Sequence, residues 1–383
     1  MHNISTSRAI VVLSCLSIAT VAAAGDAIDE IVVTADFRAR SIAELPASVS
    51  VIDEGFIREA SVQHFEELVF TVPNLNWSGD GHRARYFQIR GVGELEQYQG
   101  APNPSVGFLI DDIDFSGIGT VATLFDVESI EVLRGSQGSR YGANALGGLI
   151  YVRGAAPSTE RDGQLRVTVG DDDARALGIA FGGALDEREV LLFRLSVNRH
   201  ESNGFRDNVH LGRDVTNGRD ETGARLAFTY DPGNDLETRL SVIYSRIDNG
   251  YDAFALDNSY SMLSDKPGKD AQVSVGASLR LDHGDFGAGE LTSITAFAIS
   301  DIEFSFDADW GNDKSWAPVL YDYVSLSDRE RSTISQEFRY STQRWLFGVH
   351  ALRLDEELAT LNRGEYYDPG YDFADSLDYP FDS

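Results

Sequence analysis

From about Gln164 onwards, apolar residues alternate with polar or small ones, and this pattern governs the rest of the chain. Leu165-Arg166-Val167-Thr168-Val169 repeats with period two. Leu191, Phe193, Leu195 and Val197 interleave with Leu192, Arg194, Ser196 and Asn198. Leu226, Phe228 and Tyr230 interleave with Arg225, Ala227 and Thr229. Val273, Val275, Ala277, Leu279 and Leu281 do so with Gln272, Ser274, Gly276, Ser278 and Arg280, and Trp345, Phe347, Val349 and Ala351 with Leu346, Gly348 and His350. Successive side chains of a strand point to opposite faces, so each run predicts a strand with one apolar face. The longest reach the roughly nine to eleven residues that a tilted strand needs to cross a bilayer. About nine such strands are predicted, joined by turns such as Asp231 to Asp235 and by a longer acidic loop, Asp248 to Asp270. Short and long connections in alternation suit the two ends of a membrane barrel. A soluble β-sandwich shows the same alternation, but runs this long with aromatics near their ends favour the barrel.

Residues 37–155 have a different texture, that of a compact α/β module. Ser48 to Ile52 alternates as a strand, Asp53 is placed to cap a turn of helix, and Ser61 to cap a helix over Val62 to Val69 before Pro73. Phe87 to Gly93 predicts a strand and glycine turn, and Val106 to Ile113 a hairpin with an acidic turn. Val127 to Arg134 predicts a strand running into Gly135, Gly138, Gly142, Gly147 and Gly148, then into another apolar strand. Glycine takes positive φ and permits close backbone approach, so this spacing predicts a chain folding back in a crowded place.

The amino end has the features of a secretory leader over residues 1–24: Arg8, an apolar stretch from Ala9 to Ala22, and Ala22-Ala23-Ala24 as a cleavage site. A membrane-spanning helix is the alternative, but the stretch is short. The single cysteine, Cys15, lies inside it, so cleavage would leave neither disulfides nor a catalytic thiol.

Ile89-Arg90-Gly91, the Asp-centred hairpin and Leu133-Arg134-Gly135 with its glycine cluster occur in an order that resembles the plug domain of TonB-dependent outer-membrane receptors. Asp29-Glu30-Ile31-Val32-Val33-Thr34-Ala35, within residues 25–36, resembles the TonB box of that family. The resemblance implies an α+β plug domain followed by antiparallel transmembrane β-barrel strands, with residues 160–383 as the amino-terminal part of a barrel that is incomplete in this chain. It implies a monomeric barrel in the outer membrane, its amino-terminal segment in the periplasm. The box would pair with the TonB energy transducer by strand addition. By the same resemblance, Arg90 and Arg134 sit where the family places arginines that pair with barrel glutamates, and Glu337 is the candidate partner. Glu131, three positions before Arg134, points to the opposite face. Arg90, Gly91, Glu131, Arg134, Gly135, Gly138, Tyr141, Gly142, Gly147, Gly148 and Glu337 thus make up the plug motif and its contacts. Three positions depart from the family pattern: Ser136 stands for the usual Pro, Ala143 for a basic residue, and Asp112 for the Gly of the hairpin turn.

A plugged barrel needs about twenty-two strands, so the chain is expected to be the front portion of a receptor. The tail, Tyr366 to Ser383, reads as an acidic external loop. The 32 basic against 61 acidic residues, net −29, speak against nucleic acid. Lysine occurs only at 266, 269 and 314, so nearly all the cations are arginine, which suits buried carboxylate pairing better than lysine but equally fits a composition bias. The 7 histidines show no metal-ligand spacing, and no phosphate-binding loop or nucleophile–base arrangement occurs. No enzyme, cofactor or metal is expected. The function implied is energy-coupled import of a scarce ligand, with a ferric siderophore the family's commonest cargo and haem, cobalamin or saccharide open. A non-transporting fragment or a ligand-binding signalling module is the alternative.

Overall fold

The computed structural model describes residues 32–33, 40–41, 48–79, 83–95, 104–118, 123–138, 144–370 and 373–382. At the amino end two short strands, β1 (Val32–Val33) and β2 (Arg40–Ser41), pair antiparallel. The amino-terminal module follows with β3 (Ser48–Asp53), α1 (Glu54–Ala60), β4 (Leu75–Ser78), β5 (Tyr86–Ile89), β6 (Val106–Ile110), β7 (Ile113–Asp114), β8 (Val127–Arg134) and β9 (Gly148–Gly154). Its main sheet has the order β3-β8-β9-β6-β7, with β6 and β9 parallel. Asp53 caps α1, its Oδ1 accepting from Phe56 N at 2.8 Å. The predicted helix over Val62 to Val69 is corrected here. Ser61 adopts the left-handed conformation that ends α1, and a tighter 3-10 helix begins only at Phe65 and runs to Thr71. Glu67 starts it by accepting from the His64 N–H at 2.9 Å.

The β6–β7 turn is built by Asp111 and Asp112, at φ 47° and 69°. Two successive left-handed residues match the twist of a two-residue hairpin, and Asp adopts that region better than most residues. Phe65, Phe87 and Phe108 stack behind it with ring centroids 5.5 and 5.6 Å apart, in a core completed by Ile57, Ile130, Val132 and Ile150.

The second unit is a sheet of ten strands: β10 (Asp162–Val169), β11 (Arg175–Ala184), β12 (Leu191–Ser202), β14 (Arg219–Tyr230), β15 (Leu236–Tyr251), β17 (Gly268–Phe286), β18 (Gly289–Asp307), β19 (Leu320–Ser341), β20 (Leu346–Asp368) and β21 (Phe373–Asp382). Each pairs antiparallel with the next. Between them, β13 (Asp207–Asn208) and β16 (Ser261–Met262) pair with each other in the connections. The expected loop from Asp248 to Asp270 shrinks, because β15 continues to Tyr251 and β17 starts at Gly268. The tail is also corrected. Tyr366 to Asp368 complete β20 and Phe373 to Asp382 form β21, since a ready edge on β20 pairs even an acidic segment.

The faces of this sheet are the reverse of a soluble sandwich. On β17, Val273, Val275 and Leu279 are 39%, 38% and 41% exposed, whereas Gln272, Ser274 and Ser278 are buried against the amino-terminal module. On β18, Phe297 and Ile299 face out beside Ala277 and Val275. An apolar exterior over a polar interior is stable where lipid and not water lies outside. Residues 231–235, 287–288 and 342–345 connect strands at one end, and the longer 203–218, 252–267 and 308–319 at the other. Gly276 lets the module approach the wall: a Cβ there would meet Ile113 Cγ2 at 2.8 Å and Phe115 at 2.9 Å.

Candidate functional site: the plug–wall interface

The two units meet through buried charges. From the loop ahead of β8, Asp126 accepts from Arg194 Nε at 2.9 and 3.0 Å, and Arg194 Nη1 reaches Asp162 at 2.9 Å. In the hairpin turn Asp111 pairs with Arg225, accepts from Ser241 Oγ at 2.9 Å and receives the Gly154 N–H at 2.9 Å. Arg225 Nη1 also donates to the Ala155 carbonyl at 2.8 Å. Arg280 lies 3.5 Å from Asp112. At the long-loop end the polarity reverses. Arg83 forks onto Asp270 with bonds of 2.9 and 3.0 Å and donates to Gln272 at 2.7 Å, while Arg85 reaches the same Asp270 at 2.9 Å. The guanidinium of Arg85 lies 3.6 Å over the Phe304 ring. His64 bonds Glu221 on β14.

Burial opposes ionisation of Asp111, but the Arg225 guanidinium and the Gly154 N–H overcome it and hold the carboxyl below its ordinary value. A depressed folded-state value means that this tie is fully present above the unfolded Asp range, near pH 3.9, and is lost as pH falls through the depressed value. Protection from hydrogen exchange at Ile110 to Ile113, relative to the intrinsic rate at each pH, is therefore expected to hold at neutral pH and to fall only in acid below that range. Loss of protection on going from pH 7 to pH 5 would contradict the assignment.

The sequence-derived residues fall in several places. Of Asp29, Glu30, Ile31, Val32, Val33, Thr34 and Ala35, only Val32 and Val33 are described, facing Ser41 and Arg40 in β1–β2; the others lie outside the described residues, as do Tyr141 and Gly142. Arg90 and Gly91 form an exposed two-residue turn at φ 55° and 78°, closed by Ile89 N to Val92 O at 2.9 Å. Glu131 is buried between Val51 and Tyr151, on the opposite face from Arg134. The Arg134–Glu337 pairing is not what the structure builds. Arg134 donates to the Pro73 carbonyl at 3.2 Å, while Glu337 bonds Arg339 on its own strand. Gly135 N donates to Gly147 O at 3.0 Å, Gly147 N to Ser105 O at 2.7 Å, and Gly138 lies between them in sequence. At Gly148 a Cβ would stand 2.4 Å from Leu133 O, which accounts for that glycine.

The latches of the hairpin and of β8 thus carry aspartate on the module and arginine on the wall, opposite to the expected arrangement. The signal was in the sequence: Arg194, Arg225 and Arg280 occupy the inward phase of their alternating runs. A charge there faces the lumen and needs a buried counter-ion. Nor does the lack of local metal-ligand spacing hold in space, because folding gathers His64, His200 and Glu221 with ligand atoms within 4.8 Å.

A small α+β module tied by ion pairs to the inner face of an apolar-out antiparallel wall defines a plugged membrane β-barrel protein. Residues 41–149 match the family model described as TonB-dependent Receptor Plug Domain. The amino-terminal module is thus a plug domain of the TonB-dependent receptor type. The chain is 27% identical over 190 residues to the pesticin receptor of Yersinia pestis, covering 49% of this chain and 28% of that protein. To the vitamin B12 transporter BtuB of Vibrio vulnificus it is 24% identical over 187 residues, 47% of this chain and 29% of that one. Among solved structures it is similar to the ferric yersiniabactin uptake receptor FyuA of Yersinia pestis, with TM-score 0.61 and 16% identity over 88% of this chain and 60% of that one. It is also similar to the siderophore receptor PiuA of Acinetobacter baumannii, with TM-score 0.62 and 18% identity over 88% and 49%. The matched stretches are under a third of the two sequence relatives' length. These relatives are receptors and transporters, in keeping with the expectation of a receptor and not an enzyme.

Proposed function

We propose that this chain forms the plug and the first wall strands of an outer-membrane receptor that imports a scarce ligand at the expense of TonB-coupled energy, with a ferric siderophore as cargo. The observation that carries the reading is the pair of opposed faces: apolar side chains turned to lipid, and an inner wall of Arg, Asp and Ser locked onto a plug. Such locks occlude the lumen yet can be exchanged for water when the plug is pulled, because desolvation offsets much of their attraction.

The ligand enters from the long-loop end. There Tyr251, Phe254, Phe304, Phe306 and Trp310 form one aromatic cluster, with centroids 4.8 to 6.4 Å apart, beside Arg83 and Arg85. Flat π faces at this end suit a chelate that carries aromatic rings. Within the segment Asp29 to Ala35, the strand Val32–Val33 is the edge we assign to the transducer, by strand addition.

The test is uptake of radiolabelled iron–siderophore complexes by cells carrying the native protein, with Val32→Pro as the decoupled variant. Proline removes a backbone donor from the paired edge, so surface binding is expected to persist while uptake falls to the level of cells lacking the transducer. Equal uptake by the variant would sink the coupling. Labelled cobalamin, offered in parallel because of the BtuB likeness, is expected to give no transducer-dependent signal; uptake of cobalamin alone would overturn the siderophore assignment.

A further inference from the structure

We propose that His64, His200 and Glu221 form a binding site for one divalent transition-metal ion, Zn²⁺ in the first instance, that staples the plug to the barrel wall. The inference goes beyond the transport reading and does not depend on the cargo. His64 enters from the plug, at the start of the 3-10 helix, His200 from β12 and Glu221 from β14; their ligand atoms lie within 4.8 Å of one another. Two imidazoles and one carboxylate, with a fourth position left to water, are a set that tetrahedral zinc accepts.

The surroundings are those of a built site. Glu67 Oε1 lies 3.3 Å from His64 Nδ1, so it accepts that N–H and leaves Nε2 to face Glu221. A carboxylate behind the distal nitrogen fixes the tautomer and strengthens a histidine ligand. Asn249 Nδ2 donates to Glu221 Oε1 at 2.9 Å, which occupies one carboxylate oxygen and turns the other, Oε2, towards both histidines. His200 Nδ1 is buried without a hydrogen bond and lies 3.8 Å from that same Oε2. His64 and Glu221 are 5% and 3% exposed, so the site is shielded from bulk water.

Without metal, the His64 ring bonds Glu221 directly. Ligands at 2.0–2.1 Å in a tetrahedron stand about 3.3 Å apart, so a bound ion takes the place of that hydrogen bond. One group works against the site. Arg219 Nη1 lies 3.0 Å from His64 Nδ1, competing with Glu67 for that nitrogen and repelling a cation.

The experiment uses untagged protein in detergent, stripped with chelator, desalted and titrated with Zn²⁺ under native mass spectrometry and calorimetry. Co²⁺ serves as the spectroscopic probe. One equivalent is expected, with the intense visible bands of four-coordinate cobalt and slowed hydrogen exchange over Phe65 to Thr71. His200→Ala, which removes no hydrogen bond recorded at Nδ1, is expected to weaken binding at least about 10-fold, and Glu67→Gln by about 10-fold. Arg219→Gln is expected to tighten it, and His210→Ala, an exposed residue elsewhere, to leave it unchanged. Substoichiometric binding, six-coordinate cobalt spectra, or affinity indifferent to both His200→Ala and Arg219→Gln would each overturn the assignment.

Discussion

Replacing Arg194 with Met is expected to loosen the plug from the wall by about 3–5 kcal/mol. The guanidinium sits between Asp126 of the plug and Asp162 of β10, with both Asp126 oxygens bonded to its Nε at 2.9 and 3.0 Å. Asp126 is buried, so losing the arginine leaves a carboxylate with neither water nor counter-ion. Most of the cost is that stranded charge and not the net worth of the pair. Arg194→Met combined with Asp126→Asn is therefore expected to recover most of the loss, and Asn keeps the left-handed φ of 61° at that position. The readout is hydrogen exchange along β8, which begins one residue after Asp126, together with the urea midpoint of plug release. Equal damage in the single and double variants would show that the arginine acts by packing and not by charge.

Gly148→Val is expected to prevent the plug from folding. A Cβ at this position would lie 2.4 Å from the Leu133 carbonyl oxygen and 2.6 Å from Ile89 Cδ1. The first is backbone in the paired strand β8, where Leu133 faces Leu149, so it cannot swing aside as a side chain would. Overpacking a core typically costs about 1–3 kcal/mol, and a rigid clash in the central sheet belongs above that range. The amount of protein reaching the membrane, and near-ultraviolet dichroism of what does, measure the effect. Gly163→Ala is the control. Its Cβ would meet Ala180 O at an ordinary 3.4 Å, and normal assembly is expected. A well-folded Gly148→Val protein would mean that β8 and β9 can separate without loss.

Much of this architecture is legible in the sequence because it follows from local rules. Strand periodicity depends only on the alternation of side chains, so the phase of Val273 to Leu281 put them on one face without knowledge of any neighbour. Asp53 as a cap and Asp111-Asp112 as a turn follow from backbone chemistry within a few residues. Failures came where a neighbour decided the outcome. Ser61 has the chemistry of a helix start, yet it ends α1, because the next turn is set by Glu67 and packed by Phe65. The acidic tail offers little reason to be a strand except that β20 presents an unpaired edge beside it.

The interface divides along the same line. Arg194, Arg225 and Arg280 could be placed opposite the apolar face from their phase, and so on the lumen side once the strands are read as a barrel. Which carboxylate meets which arginine could not, since Arg225 and Asp111 are 114 residues apart and Arg83 and Asp270 are 187 apart. Alternation, turn chemistry and the ordered glycine motif therefore determined the kind of protein and the direction each strand faces. Only the tertiary structure decided that Glu337 turns to Arg339, that aspartates of the plug take arginines of the wall, and that His64 reaches Glu221 and His200. The reason is physical: strand phase is a property of neighbours in sequence, whereas a buried charge is satisfied by whatever counter-ion the register of distant strands delivers.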